Sequence, residues 1–414
     1  MGLDGDLVNV TIKTVHAPMA WVPTNSVVPA GRVRVTIDDF LTRYMTIDRA
    51  GAWSLAGLFR TFWSPIQNEL FKPNSPCVAY IVVCDDRTNV TAFKRQTQSK
   101  RKAARASTDA RKGLAPHVPY TAEEMAERTS SSPTYDPFAL YDLNRLALSD
   151  RDGMHLWREF VPLVADRMTT CPPGRRFLFD FDNAAGPLVM QSGREPYHTQ
   201  GHSLGEADPA TIWWVANFAP ERRDVDYRIA STDSDILAIY TAYHRKAVER
   251  DQRVFMHNKY DTMIDLRIMG DALARNIDLP LEWQCLYFVL CGTDFVDRIA
   301  FARGSNNVLV REAVVRTHQR CQREGECDVF QVFVRELFYA ALPGSIQVPE
   351  RFRFPIPLLS VRRLRELYAG SFFPSDEVLA DAEKRVHFNL LYWLHAPAGH
   401  RPDRVAKAAD MQDL

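Results

Sequence analysis

The chain has 414 residues, 51 basic against 51 acidic side chains, an apolar fraction of 46% and no apolar run of bilayer-spanning length. These figures exclude a wholly disordered chain, a fibrous repeat and a helical membrane protein. No basic-then-apolar leader opens the chain, so the expected location is intracellular, in nucleus or cytoplasm, and not secreted.

Seven scattered cysteines, an odd number with no CxxC pair, argue against a disulfide framework or a zinc ribbon. Cys84, Cys285 and Cys291 sit in apolar runs and are expected in the core of a protein from a reducing compartment. Because the total charge balances, the local distribution of charge carries the information.

In chain order, residues 1–30 are broken by Pro18, Pro23 and Pro29. Residues 32–37 (RVRVTI) alternate and are β-branched, which predicts a strand ending at Asp38-Asp39. Residues 40–72 show helical spacing. Residues 77–84 (CVAYIVVC) form a continuous apolar run, as in a parallel strand covered on both faces, and Asp85-Asp86 end it. Residues 94–112 hold eight Lys or Arg against the single Asp109, which predicts an exposed segment. Residues 137–169 read as helical. Residues 177–182 and 188–190 flank a Gly-bearing turn and predict a hairpin.

Residues 205–218 (GEADPATIWWVANF) predict an apolar helix with acids at its start. A short strand is expected at 226–231, ending at Thr232-Asp233-Ser234-Asp235, and a helix at 236–247. Residues 281–291 predict a buried helix leading into Gly292-Thr293-Asp294. Most of 300–395 is helical by pattern, and the polar tail from Ala396 is expected to be loose. Strands alternating with helices predict an α/β fold: a central, mostly parallel sheet flanked by helices, with a mainly helical C-terminal region.

In such sheets ligands sit at the carboxyl ends of strands, where acids recur here. Converging carboxylates repel one another unless cations neutralise them. Hard divalent cations accept such oxygen ligands, and a pair of them can drive phosphodiester hydrolysis. Each acid also has an ordinary role open to it. Asp233 and Asp38 can cap helices, Glu206, Asp208 and Asp235 can favour first turns, and Asp294 can be a turn residue.

The ordered set resembles the flap endonuclease and XPG group of structure-specific 5′ nucleases, from Met1 to about Ile299. Met1-Gly2-Leu3 resembles the family's opening, and Val35-Thr36-Ile37-Asp38 its first strand end. Cys84-Asp85-Asp86 resembles the second strand end, and residues 94–101 the basic run at the base of its helical arch. Gly205-Glu206-Ala207-Asp208 resembles its Glu-Ala-Glu motif, Thr232 to Asp235 its Asp-x-Asp motif, and Leu290 to Phe295 its Leu-Leu-Gly-x-Asp-Tyr motif.

The resemblance implies a PIN-like fold and two Mg²⁺ ions, with Mn²⁺ as a substitute. The implied ligands are Asp38, Asp85 or Asp86, Glu206 and Asp208 for one ion, and Asp233, Asp235 and Asp294 for the other. Lys94 and Arg101 fall where the family places cations near the scissile phosphate, so they count with Asp38, Asp85 and Asp86 as candidate catalytic residues. Lys94, Arg95, Lys100, Arg101, Lys102 and Arg105 are candidate phosphate contacts. Three departures stand out. Asp208 is one methylene shorter than the family's Glu. Two acids, Asp85 and Asp86, share the second strand end, with Asp85 directly after the apolar run. Residues 296–305 hold only Gly304 of the Gly-rich duplex-gripping hairpin.

Other residues receive bland readings. Asp180 and Asp182 alternate with phenylalanines and are expected to face water. His198 and His202 are expected as polar loop residues, and Trp213 and Trp214 as core. The implied organisation is a nuclease domain at 1–300 with a basic arch at 87–135, a helical region at 301–395 and a tail at 396–414. The expected activity is metal-dependent cleavage of DNA at 5′ flaps or 5′ ends. An RNA-cutting relative or a non-catalytic nucleic-acid-binding scaffold are the alternatives. Nucleic acid is the expected partner, DNA before RNA, with no membrane association and a monomer by default.

Overall fold

The computed structural model describes residues 21–23, 28–29, 31–39, 52–84, 120–128, 140–142, 153–181, 185–218, 224–231, 233–257, 262–276, 279–293, 307–325, 328–340 and 374–399, and six single positions (Ser99, Ala103, Ser107, Arg111, Asp136 and Val296). Its strands are β1 (Trp21–Pro23), β2 (Val33–Asp39), β3 (Ala52–Ser54), β4 (Cys77–Val83), β5 (Leu140–Asp142), β6 (Arg176–Asp180), β7 (Leu188–Gln191), β8 (Arg194–His198), β9 (Val225–Ala230), β10 (Arg253–His257) and β11 (Thr262–Asp265). Its helices are α1 (Leu55–Leu70), α2 (Ala122–Ala126), α3 (Gly153–Met168), α4 (Ala207–Asn217), α5 (Ser234–Glu249), α6 (Leu266–Asn276), α7 (Leu281–Leu290), α8 (Asn307–Glu324), α9 (Val329–Ala340) and α10 (Asp376–His395), followed by a 3₁₀ turn at Ala396–Ala398.

Nine strands form one sheet in the order β1-β11-β10-β9-β2-β4-β6-β7-β8. The five central strands, β10 to β6, are parallel, and both edges are antiparallel. The chain runs from β2 through β4 to β6 on one side, then returns to β9 and β10 on the other. The strand order therefore reverses between β2 and β9, where an open α/β sheet forms its binding crevice.

Period-two alternation splits the core between the two faces. Val33, Val35, Ile37, Ala79, Ile81 and Leu178 pack with α4, α5, α7 and the C-terminal helices. Tyr80, Val82, Phe177 and Phe179 pack with α1 and α3 in an aromatic cluster, where the Phe62 and Phe160 rings lie 5.1 Å apart. Both faces are covered, so the run at Cys77–Val83 is apolar throughout instead of alternating. Buried residues of α8, α9 and α10 belong to the same cluster as the sheet. Among the described residues, no helix is long and apolar enough to cross a membrane.

Several local expectations change. The helical reading of 40–72 holds only for α1; β3 precedes it, and 40–51 lie outside the described residues. The reading of 137–169 becomes β5 and then α3, because β3 and β5 pair with each other across a long sequence gap. The first residues of the expected tail are ordered, and 400–414 lie outside the described residues. Residues 396–399 are docked, with Asn217 Nδ2 donating to the Pro397 carbonyl at 2.8 Å and Ser203 N to the Gly399 carbonyl at 2.9 Å. Cys321 is disulfide-bonded, against the expectation from the odd cysteine count, and its partner lies outside the described residues. Cys84, Cys285 and Cys291 are free thiols, the last two buried.

Candidate metal centre at the sheet switch point

The β9-to-α5 turn supplies two acids. Asp233 is the N-cap of α5, and its carboxylate accepts from the Asp235 backbone N–H at 3.0 Å. Its own N–H donates to Ser231 Oγ at 3.1 Å. Asp235 follows in the first turn of α5 and is buried. The capping role open to Asp233 in the sequence is therefore real. A cap engages one carboxylate oxygen, so capping and metal ligation are compatible roles for one carboxylate.

The start of α4 supplies the third acid. Gly205, at φ +78°, turns the chain in a conformation that disfavours a side chain. Glu206 is then the N-cap residue, buried and making no side-chain cap bond, and Asp208 lies in the first turn. The body of α4 is buried on every side and packs against β2 and β4.

These two helix starts bring one carboxylate oxygen each from Asp208, Asp233 and Asp235 within 4.8 Å of one another. Two oxygens bound to one Mg²⁺ at about 2.1 Å each are at most about 4.2 Å apart, so small side-chain rotations close this set around an ion. Without a cation, each ionised pair at that spacing costs about 3.5 kcal/mol at an effective dielectric of about 20. The donors are all hard oxygens, which fits Mg²⁺ or Mn²⁺ and not a thiolate-seeking metal.

Asp38 lies on the adjacent strand end, in register with Val82 of β4 and Ala230 of β9. It is 1% exposed and accepts from Tyr80 Oη at 2.6 Å. Among the described residues, Asp38 and Glu206 flank the compact trio and are not part of it. Asp85, Asp86 and Asp294 lie outside the described residues, as do Lys94, Arg95, Lys100, Arg101, Lys102 and Arg105. In that basic segment Ser99, Ala103, Ser107 and Arg111, spaced by four, are helical and exposed.

Sequence reasoning missed a buried network at the loop that leads into α4. Asp180, expected to face water, is buried. It accepts from Trp214 Nε1 at 2.5 Å and bonds His202 Nε2 at 2.9 Å. His202 Nδ1 accepts from the Leu204 N–H at 3.3 Å, so in the neutral ring the proton sits on Nε2 and points at Asp180. The alternation of Asp180 with the phenylalanines was correct, but the face assigned to water is covered by α4. His202 is thus a buried, bonded residue that orients the approach to Glu206. His198 is exposed but ends strand β8, with its Nδ1 bonded to the Gly186 carbonyl at 2.8 Å, and is not the loop residue expected. Trp213 and Trp214 are core.

No protein-family model matches the chain, and no curated protein matches it.

Proposed function

We propose that the chain is a divalent-metal-dependent nuclease of PIN-like type, cleaving phosphodiester bonds at 5′ flaps or 5′ ends of DNA. The observation that supports this reading is the convergence of Asp208, Asp233 and Asp235, from two helix starts, at the point where the strand order reverses. Asp208, Asp233 and Asp235 would hold Mg²⁺, with Asp38 and Glu206 beside them for a second ion. The bound ions supply water activation and stabilisation of the leaving oxygen. The chain's own residues fix the carboxylates and exclude bulk water from the buried Asp235 and Asp38, and the motif resemblance makes Lys94 and Arg101 the candidate contacts to phosphate oxygens. The motif order in the sequence supports a flap-type substrate.

Asp233→Asn tests the reading cleanly, because Asn caps a helix as well as Asp does. The variant is expected to keep its melting temperature within about 2 °C and to lose cleavage of a 5′-flap DNA with Mg²⁺ by roughly 100-fold or more. Undiminished cleavage by the variant would overturn the assignment. RNA of the same sequence, run in parallel, decides the nucleic acid, since residues 296–305 lack the glycines of a duplex-gripping hairpin. A wild-type chain that cuts neither substrate with Mg²⁺ or Mn²⁺ returns the protein to the scaffold reading.

A further inference from the structure

The C-terminal helix α10 is enclosed by the core over its last three turns, yet two of its most buried residues are polar. Asn389 is 0% exposed, and the Tyr392 ring is equally buried with its hydroxyl bonded. Burying such groups is costly unless their hydrogen bonds are made. Tyr392 directs its bond at the loop that leads into Glu206 and Asp208, and Asn389 directs its bond at Thr293.

Tyr392 Oη donates to the Leu204 carbonyl at 2.5 Å. Leu204 is two residues before Glu206 and four before Asp208, and its N–H is held from the opposite side by His202. The turn after α10 adds the Ser203-to-Gly399 bond at 2.9 Å. Asn389 Oδ1 accepts from Thr293 Oγ1 at 3.2 Å. With its proton committed to Asn389, the Thr293 hydroxyl accepts from the Val296 N–H at 3.2 Å, and Thr293 N donates back to the Val296 carbonyl at 3.0 Å. Asn389 thus anchors Thr293, just beyond the C-terminus of α7, and through it Val296. One helix, about 90 to 190 residues distant in sequence from these loops, thus holds both.

We infer that α10 is a positioning element of the metal centre, with Tyr392 as the positioning residue that holds the loop leading into Glu206 and Asp208 in register. The inference rests on the nuclease reading above. It gives the C-terminal region a direct part in building the site.

The test is Mn²⁺ binding to the full chain, followed by electron paramagnetic resonance, in wild type and in Tyr392→Phe. Tyr227→Phe is the control, because its hydroxyl also donates to a buried-side carbonyl, that of Phe218 at 2.5 Å, away from the Leu204 and Thr293 loops. Tyr392→Phe is expected to weaken Mn²⁺ binding about 10-fold and to recover cleavage at high metal concentration. Tyr227→Phe is expected to lower the melting temperature in EDTA comparably and leave Mn²⁺ affinity unchanged. If Tyr392→Phe fails to fold, Ser203→Ala, which removes the side-chain bond from the same loop to the Gly399 carbonyl after α10, is read in the same way. Equal Mn²⁺ affinity in the folded variant and wild type overturns the positioning role alone. A wild-type chain that binds no Mn²⁺ overturns the metal-centre reading and this inference together.

Discussion

Asp180 carries two buried hydrogen bonds on one oxygen, from Trp214 Nε1 and from His202 Nε2. Its carboxylate ties the end of β6 to the middle of α4 and to the loop before Glu206. Its backbone carbonyl accepts from Cys84 N at 2.9 Å and so reaches the end of β4 as well. Asp180→Ala leaves two buried donors without an acceptor, at roughly 1–3 kcal/mol each. The urea midpoint of that variant is expected to fall by an amount equivalent to about 3 kcal/mol. Asp180→Asn keeps one acceptor oxygen and is expected to lose about half of that. Equal, small losses for both variants would mean that the network does not hold the loop. The sequence displayed Asp180 only as an acid in an alternating strand. Nothing local distinguishes a face that meets water from one later covered by α4.

Between α5 and α6 the packing is close enough to set a pH response. The His244 ring lies against Gly270, where a Cβ would stand 2.2 Å from Nδ1. Its Nε2 bonds Asp271 at 3.0 Å, and Tyr240 and Arg267 also face it. Burial outweighs the Asp271 carboxylate and lowers the His244 pKa below 6.5. As pH falls through the unfolded value of 6.5, the unfolded chain therefore takes up the proton first and stability declines. The decline continues until the folded ring also titrates. The slope is at most about 1.4 kcal/mol per pH unit for this one proton. Asp265, pushed up from the usual carboxylate range by burial, has the opposite sign: its contribution is present at acid pH and is lost as pH rises through its raised pKa. Thermal melts of His244→Gln between about pH 7 and about pH 5 are expected to show a flatter acid limb than wild type. An unchanged limb would exclude His244 as its source. The strands β10 and β11 and helix α6 that frame this pair escaped the sequence reading, because strands of five and four residues give too short a pattern.

Across the whole molecule, the C-terminal helices are not an appendage. Val386, Leu390, Tyr392 and Trp393 of α10 are each 1% exposed or less and share one core with β2, β4, α4 and α7. Burial of four such side chains contributes on the order of 6–12 kcal/mol, comparable with the whole net stability of a typical domain. A chain ending at residue 374 is expected to lose its cooperative calorimetric transition. A transition at unchanged temperature would show that 1–374 stands alone. The division at residue 300 followed from where the motif resemblance ends, and motif order carries no information about where the core closes.

The sequence by itself determined the α/β class, the strands β2, β4 and β9, the buried helices α4 and α7, and the positions of Asp38, Glu206, Asp208, Asp233 and Asp235 at strand and helix ends. Those features are encoded by local periodicity and by turn residues such as Gly205, which act over a few residues. Only the tertiary structure decided that Asp208, Asp233 and Asp235 form the compact group while Asp38 and Glu206 flank it. It alone buried Asp180 and His202, and it alone brought Tyr392 onto the loop that leads into Glu206 and Asp208. Those outcomes depend on which elements cover which face of the sheet, a long-range packing result that no local pattern of side chains expresses.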